Sequence, residues 1–526
     1  MAQSLRDPIN NWGLRFATRL WHVAGARWFF PVVLVGFAIS AVFFAVVVFI
    51  PHSTGVVDGI PYIAKTSRVP DEFRHIGNIF YYASLPIGSG PFLTGVPDAA
   101  LWLGEVERFP SYLYYYVLSF PTRIAMAAGL SHDTIVVMLR LLTAISGLAS
   151  LVLARRILLA AGSGVVIAGW ATLALALTGR FVWQSAGVSY DTPSMALFLL
   201  FVLAGVQVLR TASPRWYLVL IASASLVSIT KYTFMPFVVF AGIALTVWVL
   251  VSRHRAGLPG LLQLVAESFA RSRVAFLTLS VLAFVSFGLF VERIVVNYLR
   301  FGDADPDCDI VHSVAACTTN YDIYRRNESV REIYLSELAD GTRLPQQYSP
   351  FSYTGTWADL YYQSTFFYRG AGAGMGSWTV ANWVTILGSF AIIVALIAII
   401  AVSRSLLTSP TRIFVAGLSA LYVAGVYVFN LRTYLSVDRY YAHSGRYLLP
   451  IAAFAIAAAL YGLYRGAQRI PESWRGIVYL GVIVLLIALV GSHNSIVSFI
   501  SYADKGSWFS DIAGEFMMRI VRRLHG

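Results

Sequence analysis

Charged side chains are scarce in this sequence. Asp, Glu, Lys and Arg make up 12% of its 526 residues, where soluble globular domains carry roughly 25%. With 58% hydrophobic and 14% aromatic residues, the shortage excludes an ordinary soluble protein. Cysteine is rarer still. Only Cys308 and Cys317 occur, with no CxxC spacing, which excludes a cysteine-built metal site. The sequence also lacks internal repeats, basic low-complexity arms and nucleic-acid motifs. Its formal net charge of +13 therefore reads as membrane topology and contact with anionic lipid, with no nucleic-acid partner.

What the chain has instead is a series of apolar runs long enough to cross about 30 Å of hydrocarbon. They cover roughly Phe29–Ile50, Thr134–Ala154, Val165–Val182, Thr192–Leu209, Trp216–Thr230, Tyr232–Val251, Val274–Val296, Asn382–Val402, Ile413–Leu431, Tyr447–Tyr464 and Ile477–Val497. The fold class they imply is an all-α polytopic membrane protein, a single integral domain over residues 1–526 with about 11 transmembrane helices (10–12). Arg6, Arg15, Arg19 and Arg27 precede the first run, which is too long for a signal-peptide core and is followed by no small-x-small cleavage site. It reads as a retained signal anchor with a cytoplasmic N-terminus. Arg155, Arg156, Arg210, Arg215, Arg273, Arg404, Arg412, Arg465 and Arg469 then fall on the inner side, as the positive-inside rule requires.

That orientation leaves two large extracytoplasmic loops, 51–133 and 297–377. The first holds aromatic stretches such as Phe109–Tyr116, suited to helices lying in the interface. The second holds both cysteines, and an oxidising exterior lets Cys308 pair with Cys317, a short closure worth about 2.5–3 kcal/mol. Asp303, Asp305, Asp307 and Asp309 alternate there, but no Gly at the sixth position and no Glu at the twelfth follows, so an EF-hand is rejected.

The residues that could carry chemistry stand at outer span ends. Asp71 and Glu72 follow Pro70 just beyond the first span. Adjacent carboxylates repel, and they persist best where a cation, a metal or a proton is shared; the plainer alternative is two acids in the first turn of a helix, favoured by its dipole. His75, four residues after Asp71, is placed to orient one of them. Asp191 begins the fourth span, where it either caps the helix or binds substrate. Lys231 ends the fifth, where it either snorkels or meets an anion. Arg432, Asp438, Arg439, His443 and Arg446 share one outer turn. A basic cluster outside breaks the topology rule, and it fits a phosphate as well as it fits lipid headgroups or Asp438.

Pro70-Asp71-Glu72 with His75 resembles the Pro-Asp-Glu-x-x-His pattern of a bacterial membrane-protein family of unknown function. Ser185–Asp191 looks like that family's outer turn, Ser228–Lys231 like its Thr/Ser-Lys turn, and Gly445–Pro450 like its Gly-Arg-Tyr-Leu-Leu-Pro signature, with Ser444 where Gln commonly stands. The family in turn resembles the GT-C superfamily of polytopic glycosyltransferases. The resemblance implies transfer of a sugar from a polyprenyl-phosphate donor to a cell-envelope glycan or lipid acceptor, outside a bacterial inner membrane. It implies Asp71 as general base and Glu72 as its assistant or a cation ligand. His75, Asp191, Lys231, Arg439, His443 and Arg446 would then contact substrate. The resemblance fixes no cofactor, and a divalent cation near Glu72 is left open. The rivals are a transporter or lipid-linked glycan flippase, which would show broken helices and paired repeats, and a polyprenyl-diphosphate glycan ligase.

Overall fold

The computed structural model describes residues 7–525 except 52–54, 58–59, 63–68, 70, 89–94, 105–106, 253–265, 268, 271, 343–348, 368–381, 438–439, 441–442, 492–495, 497–508 and 511. Pro70, Asp438 and Arg439 lie outside the described residues. The chain begins with α1 (Asp7–Val23) and α2 (Phe29–Val47), followed by a small antiparallel hairpin, β1 (Gly55–Val57) with β2 (Ile60–Tyr62). The hairpin is an addition to the all-helical expectation. Then come α3 (Glu72–Ser84), α4 (Leu113–Ala127), α5 (His132–Ala160), α6 (Val165–Leu177), α7 (Gly179–Ala186), α8 (Asp191–Thr211), α9 (Pro214–Thr230), α10 (Met235–Ser252) and α11 (Arg273–Phe301). The second long loop contributes α12 (Cys308–Val311), α13 (Val314–Asn320), α14 (Asp322–Ala339) and α15 (Pro350–Tyr362). After it follow α16 (Asn382–Leu406), α17 (Pro410–Val437), α18 (Leu449–Ala467), α19 (Glu472–Gly491) and α20 (Gly514–His525).

Seven of these segments are long and apolar enough to cross a membrane, or eight if the bent pair α6–α7 is one span. This is an integral membrane protein. Three further apolar helices, Pro214–Thr230, Ile392–Leu406 and Trp474–Leu485, are shorter, so the expected eleven full-length spans are not all present among the described residues. The reason is local for α9. It starts on Pro214 at its first turn and stops because Lys231 leaves helical geometry at φ −149°, ψ 101°. The expected third span is likewise broken. Thr178 turns extended (ψ 114°), its hydroxyl donates to the Ala174 carbonyl at 2.8 Å, and α7 leaves α6 at 63°.

Helix α8 is the centre of the bundle, with Phe198, Leu199, Phe201 and Val202 fully buried. Helices α10, α11 and α16 instead expose large apolar side chains such as Phe240, Phe284, Leu299 and Ile400, as surfaces facing hydrocarbon do. The amphipathic α1 tucks Trp21 between the rings of Trp170 and Tyr479, with centroids 5.8 and 4.7 Å away.

One buried ion pair ties the end of the bundle that carries the conspicuous charges. Arg140, inside α5 and 1% exposed, donates from Nε and Nη2 to both oxygens of Glu72 at 2.8 and 2.9 Å. Its remaining donors reach the carbonyls of Ala45, Val48 and Phe49 at 2.8–3.2 Å, where α2 unwinds. Glu72, 0% exposed, also accepts from the Val188 N–H at 2.9 Å. A segment far along the chain closes the same end. Phe509 bridges Val48, and Ser510 donates through its N–H and its hydroxyl to Val47 and Val46 at 2.8 and 2.6 Å.

The two long loops are stitched to the bundle and to each other. Arg108 reaches Glu292 and Asn297 of α11 at 2.6 and 2.7 Å. Arg293 lies over the Tyr112 ring at 4.1 Å and donates to the Phe109 carbonyl. Arg74 pairs with Asp322 at the start of α14. Cys308 and Cys317 form a disulfide, as expected, packed against Leu101 of the first loop.

Breaking a buried pair leaves one charge unmatched, which costs about 3–5 kcal/mol. E72Q and R140L should therefore each lower the unfolding temperature in detergent markedly, and the double substitution E72M/R140M should recover part of the loss. An E72Q protein melting within about 1 °C of wild type would refute the clasp. Reduction of the disulfide, or C308S, should make the 303–342 segment cleavable in limited proteolysis while the spans stay intact. Unchanged resistance would show that Leu101 packing suffices.

Candidate active site at the end of the bundle

Asp71 precedes α3 in a left-handed conformation (φ 62°, ψ 14°) and makes no side-chain capping bond. Asp tolerates this region better than most residues, yet it still stores on the order of 1 kcal/mol of strain. The helix-dipole alternative thus does not describe where its carboxylate goes. The carboxylate turns toward two guanidinium groups, Arg74 Nη1 at 3.4 Å and Arg446 Nη2 at 3.6 Å, and its side chain is 41% exposed.

Asp191 stands at the first turn of α8, where Gln184 Nε2 donates to Oδ2 at 2.5 Å, Lys231 Nζ pairs with Oδ1, and Arg446 Nη1 lies 3.5 Å from Oδ2. Lys231 points inward instead of snorkelling. It is 6% exposed, and its ammonium sits 4.7 Å from the Tyr447 ring centroid and 5.4 Å from that of Tyr190. Residues 71, 191, 231 and 446 thus meet in one cluster although the chain separates them widely.

Two close backbone approaches set this geometry. A Cβ on Gly187 would lie 2.1 Å from a Val69 methyl, so the turn leading to Asp191 seats directly against the segment leading to Asp71. A Cβ on Gly445 would strike the Thr365 backbone at 2.5 Å, and the Gly445 N–H donates to Ser364 Oγ at 2.7 Å. The second long loop thereby holds Arg446 in place.

Arg446 is loosely held for a largely buried arginine. Its carboxylate contacts are 3.5 and 3.6 Å, beyond the 2.7–2.9 Å or so of a good charge-assisted bond. Its Nε has no hydrogen-bond partner among the described residues. Burial pulls its pKa down, but Tyr447, Asp191 and Asp71 more than offset this and hold the guanidinium well above its usual value. On its inner side a small pocket opens, lined by Gln184, Asp191, Thr192, Lys231 and Arg446 together with Phe181, Phe234 and Tyr422.

Three of the other expected site residues engage protein partners of their own. Glu72 points into the Arg140 clasp, away from the cluster, and is enclosed by protein donors. His75 is buried with Nδ1 2.8 Å from the Tyr115 hydroxyl and its ring edge-on to Tyr190 at 4.7 Å. Burial lowers its pKa to about 4, against the opposing pull of Asp71 and Asp191, so it is neutral at pH 7 and does not hold a carboxylate as a cation. His443 lies among the rings of Tyr353, Tyr361 and Tyr440. Among the described residues no group of three or more His, Cys, Asp or Glu could hold a metal ion. Arg140, Gln184 and Thr192 were not singled out from the sequence. An arginine inside an apolar run was the available signal for the first.

No family model and no curated protein matches the sequence. The structure is similar to the archaeal oligosaccharyltransferase AglB from Archaeoglobus fulgidus, in complex with an inhibitory peptide and a dolichol-phosphate. The TM-score is 0.41 and the identity 14%, over 94% of this chain and 56% of that one. This chain thus spans about half the length of that neighbour. It is also similar to ArnT from Cupriavidus metallidurans bound to undecaprenyl phosphate, with a TM-score of 0.32 and 15% identity over 92% of both chains.

Proposed function

We propose that the chain is a membrane glycosyltransferase that moves a sugar from a polyprenyl phosphate to an acceptor hydroxyl on the extracytoplasmic side, by single displacement with inversion. The observation that supports this reading best is Arg446. It is a buried guanidinium with an unused donor, beside a buried ammonium and between two carboxylates, at the mouth of a cavity. A phosphate arriving there would take over the donors of Arg446 and Lys231. Asp71 would then be released from Arg446 to act as a base.

In the reaction Asp71 takes the acceptor's proton as the acceptor oxygen attacks the anomeric carbon. The bond from that carbon to the phosphate oxygen breaks, and its electron pair leaves with the phosphate. The departing phosphate gains negative charge, which the two preorganised cations stabilise most at the transition state. Asp191 positions both cations. Glu72 acts through the Arg140 clasp, as a positioning residue for the turn ahead of Asp191.

The bent α6–α7 pair is compatible with the transporter reading, since discontinuous helices line many transport sites. Against it, the charges collect at the ends of α8 and α9, and among the described residues only one bent pair occurs. A flippase also forms no covalent product, so the readings separate on product analysis.

Two substitutions test the enzyme. In a strain lacking the wild-type protein, D71N should abolish one glycan modification of the cell envelope and accumulate its polyprenyl-phosphate sugar, through a rate loss of about 10²–10⁴. R446Q should slow the same step by roughly 10²–10³. Unchanged glycolipids in a D71N strain with normal protein levels would end the proposal.

A further inference from the structure

Two polar atoms in the cavity have no use in the protein itself. Gln184 and Thr192 line it and are 1% and 2% exposed. Gln184 Oε1 and Thr192 Oγ1 have no hydrogen-bond partner among the described residues. Leaving such atoms unpaired in a protein interior is costly, and native structures seldom do so without a role for them. The orientation of the amide is fixed by chemistry. Its Nε2 faces Asp191 Oδ2 at 2.5 Å, and an ionised carboxylate only accepts, so Oε1 is the atom left over.

Resting on the glycosyltransferase reading, we infer that Gln184 Oε1 and Thr192 Oγ1 form a subsite for ring hydroxyls of the donor sugar, inside the phosphate position at Arg446 and Lys231. Gln184 Oε1 can only accept, so it needs an O–H or N–H donor. A phosphate diester anion has no such hydrogen, and a prenyl chain has no polar atom. A sugar hydroxyl both donates and accepts, and so suits an amide oxygen beside a threonine hydroxyl. Phe181, Phe234 and Tyr422 supply apolar walls for the ring.

The test uses the purified full-length protein in detergent. Its probes are citronellyl phosphate alone and the glucosyl, galactosyl, mannosyl and arabinosyl esters of citronellyl phosphate. For wild type, at least one glycosyl ester should bind about tenfold or more tighter than bare citronellyl phosphate. T192V should remove that advantage, weakening the ester roughly 10- to 100-fold while leaving the bare phosphate within about twofold, and Q184M, which also gives up the bond to Asp191, should weaken the ester at least about tenfold more than the bare phosphate. T192V deletes a hydroxyl without a protein partner, so its unfolding temperature should equal or exceed that of wild type, which removes misfolding as an explanation. If the bare phosphate binds but no sugar adds affinity, or if the variants leave the ester's advantage intact, the subsite is refuted and the phosphate site stands. If the variants weaken ester and bare phosphate alike, Gln184 and Thr192 serve Asp191 and the cations instead, and the subsite is again refuted. If nothing binds, the glycosyltransferase reading fails with it.

Discussion

Everything at the charged end of the bundle depends on Arg140. A guanidinium inside an apolar helix is tolerated only if each of its donors finds an acceptor, and the acceptors here come from two places. The unwinding end of α2 gives carbonyls, α3 gives the Glu72 carboxylate, and Glu72 in turn captures the backbone of the turn before α8. The demand of one buried charge thus fixes the relative height of α2, α3, α5 and α8. Asp71 and Asp191 are, respectively, the residue before Glu72 and the residue three after Val188, so their separation follows from that clasp.

The cluster itself is organised by incomplete satisfaction. Lys231 is bound closely to Asp191 and covered by tyrosine rings, whereas Arg446 stands between two carboxylates without closing firmly on either. A site whose charges were all tightly paired would have to break good bonds to admit an anion. Here one cation is firm and orienting, and the other is held with bonding capacity in reserve.

The elements legible from sequence were those that violate an expectation of membrane chemistry. Asp71, Asp191, Lys231 and Arg446 stood out as ions at outer span ends, and the fold gathers all four. Their neighbours were less legible. Adjacency suggests that Glu72 and Asp71 act together, but Asp71 stands ahead of α3 in a left-handed conformation and Glu72 is the first helical residue, so one faces the cluster and the other the clasp. The four-residue spacing places His75 beside Asp71, whose carbonyl accepts from the His75 N–H at 3.1 Å, while the His75 ring turns to Tyr115 and Tyr190. Arg140, and Arg180 in α7, whose Nε donates to the Ser364 carbonyl at 3.0 Å, lie inside runs that read as plain spans. Each marks a departure from a plain span, the clasp in one case and the bent helix α7 in the other. Gln184 and Thr192 carry no such mark, since amides and hydroxyls are unremarked in helices until their partners are known.

The pairing of Ser510 with Val46 joins positions 464 residues apart. Contacts so distant in sequence form late, because loop closure has to be achieved over all the intervening chain. The helices between them are synthesised before Ser510, so the edge of α2 at Val46–Val48 lacks these partners until residue 510 has been made. Assembly order is thereby written into the molecule: the charged end is the last region to be sealed, and a half-assembled protein would be recognisable there by its bare backbone.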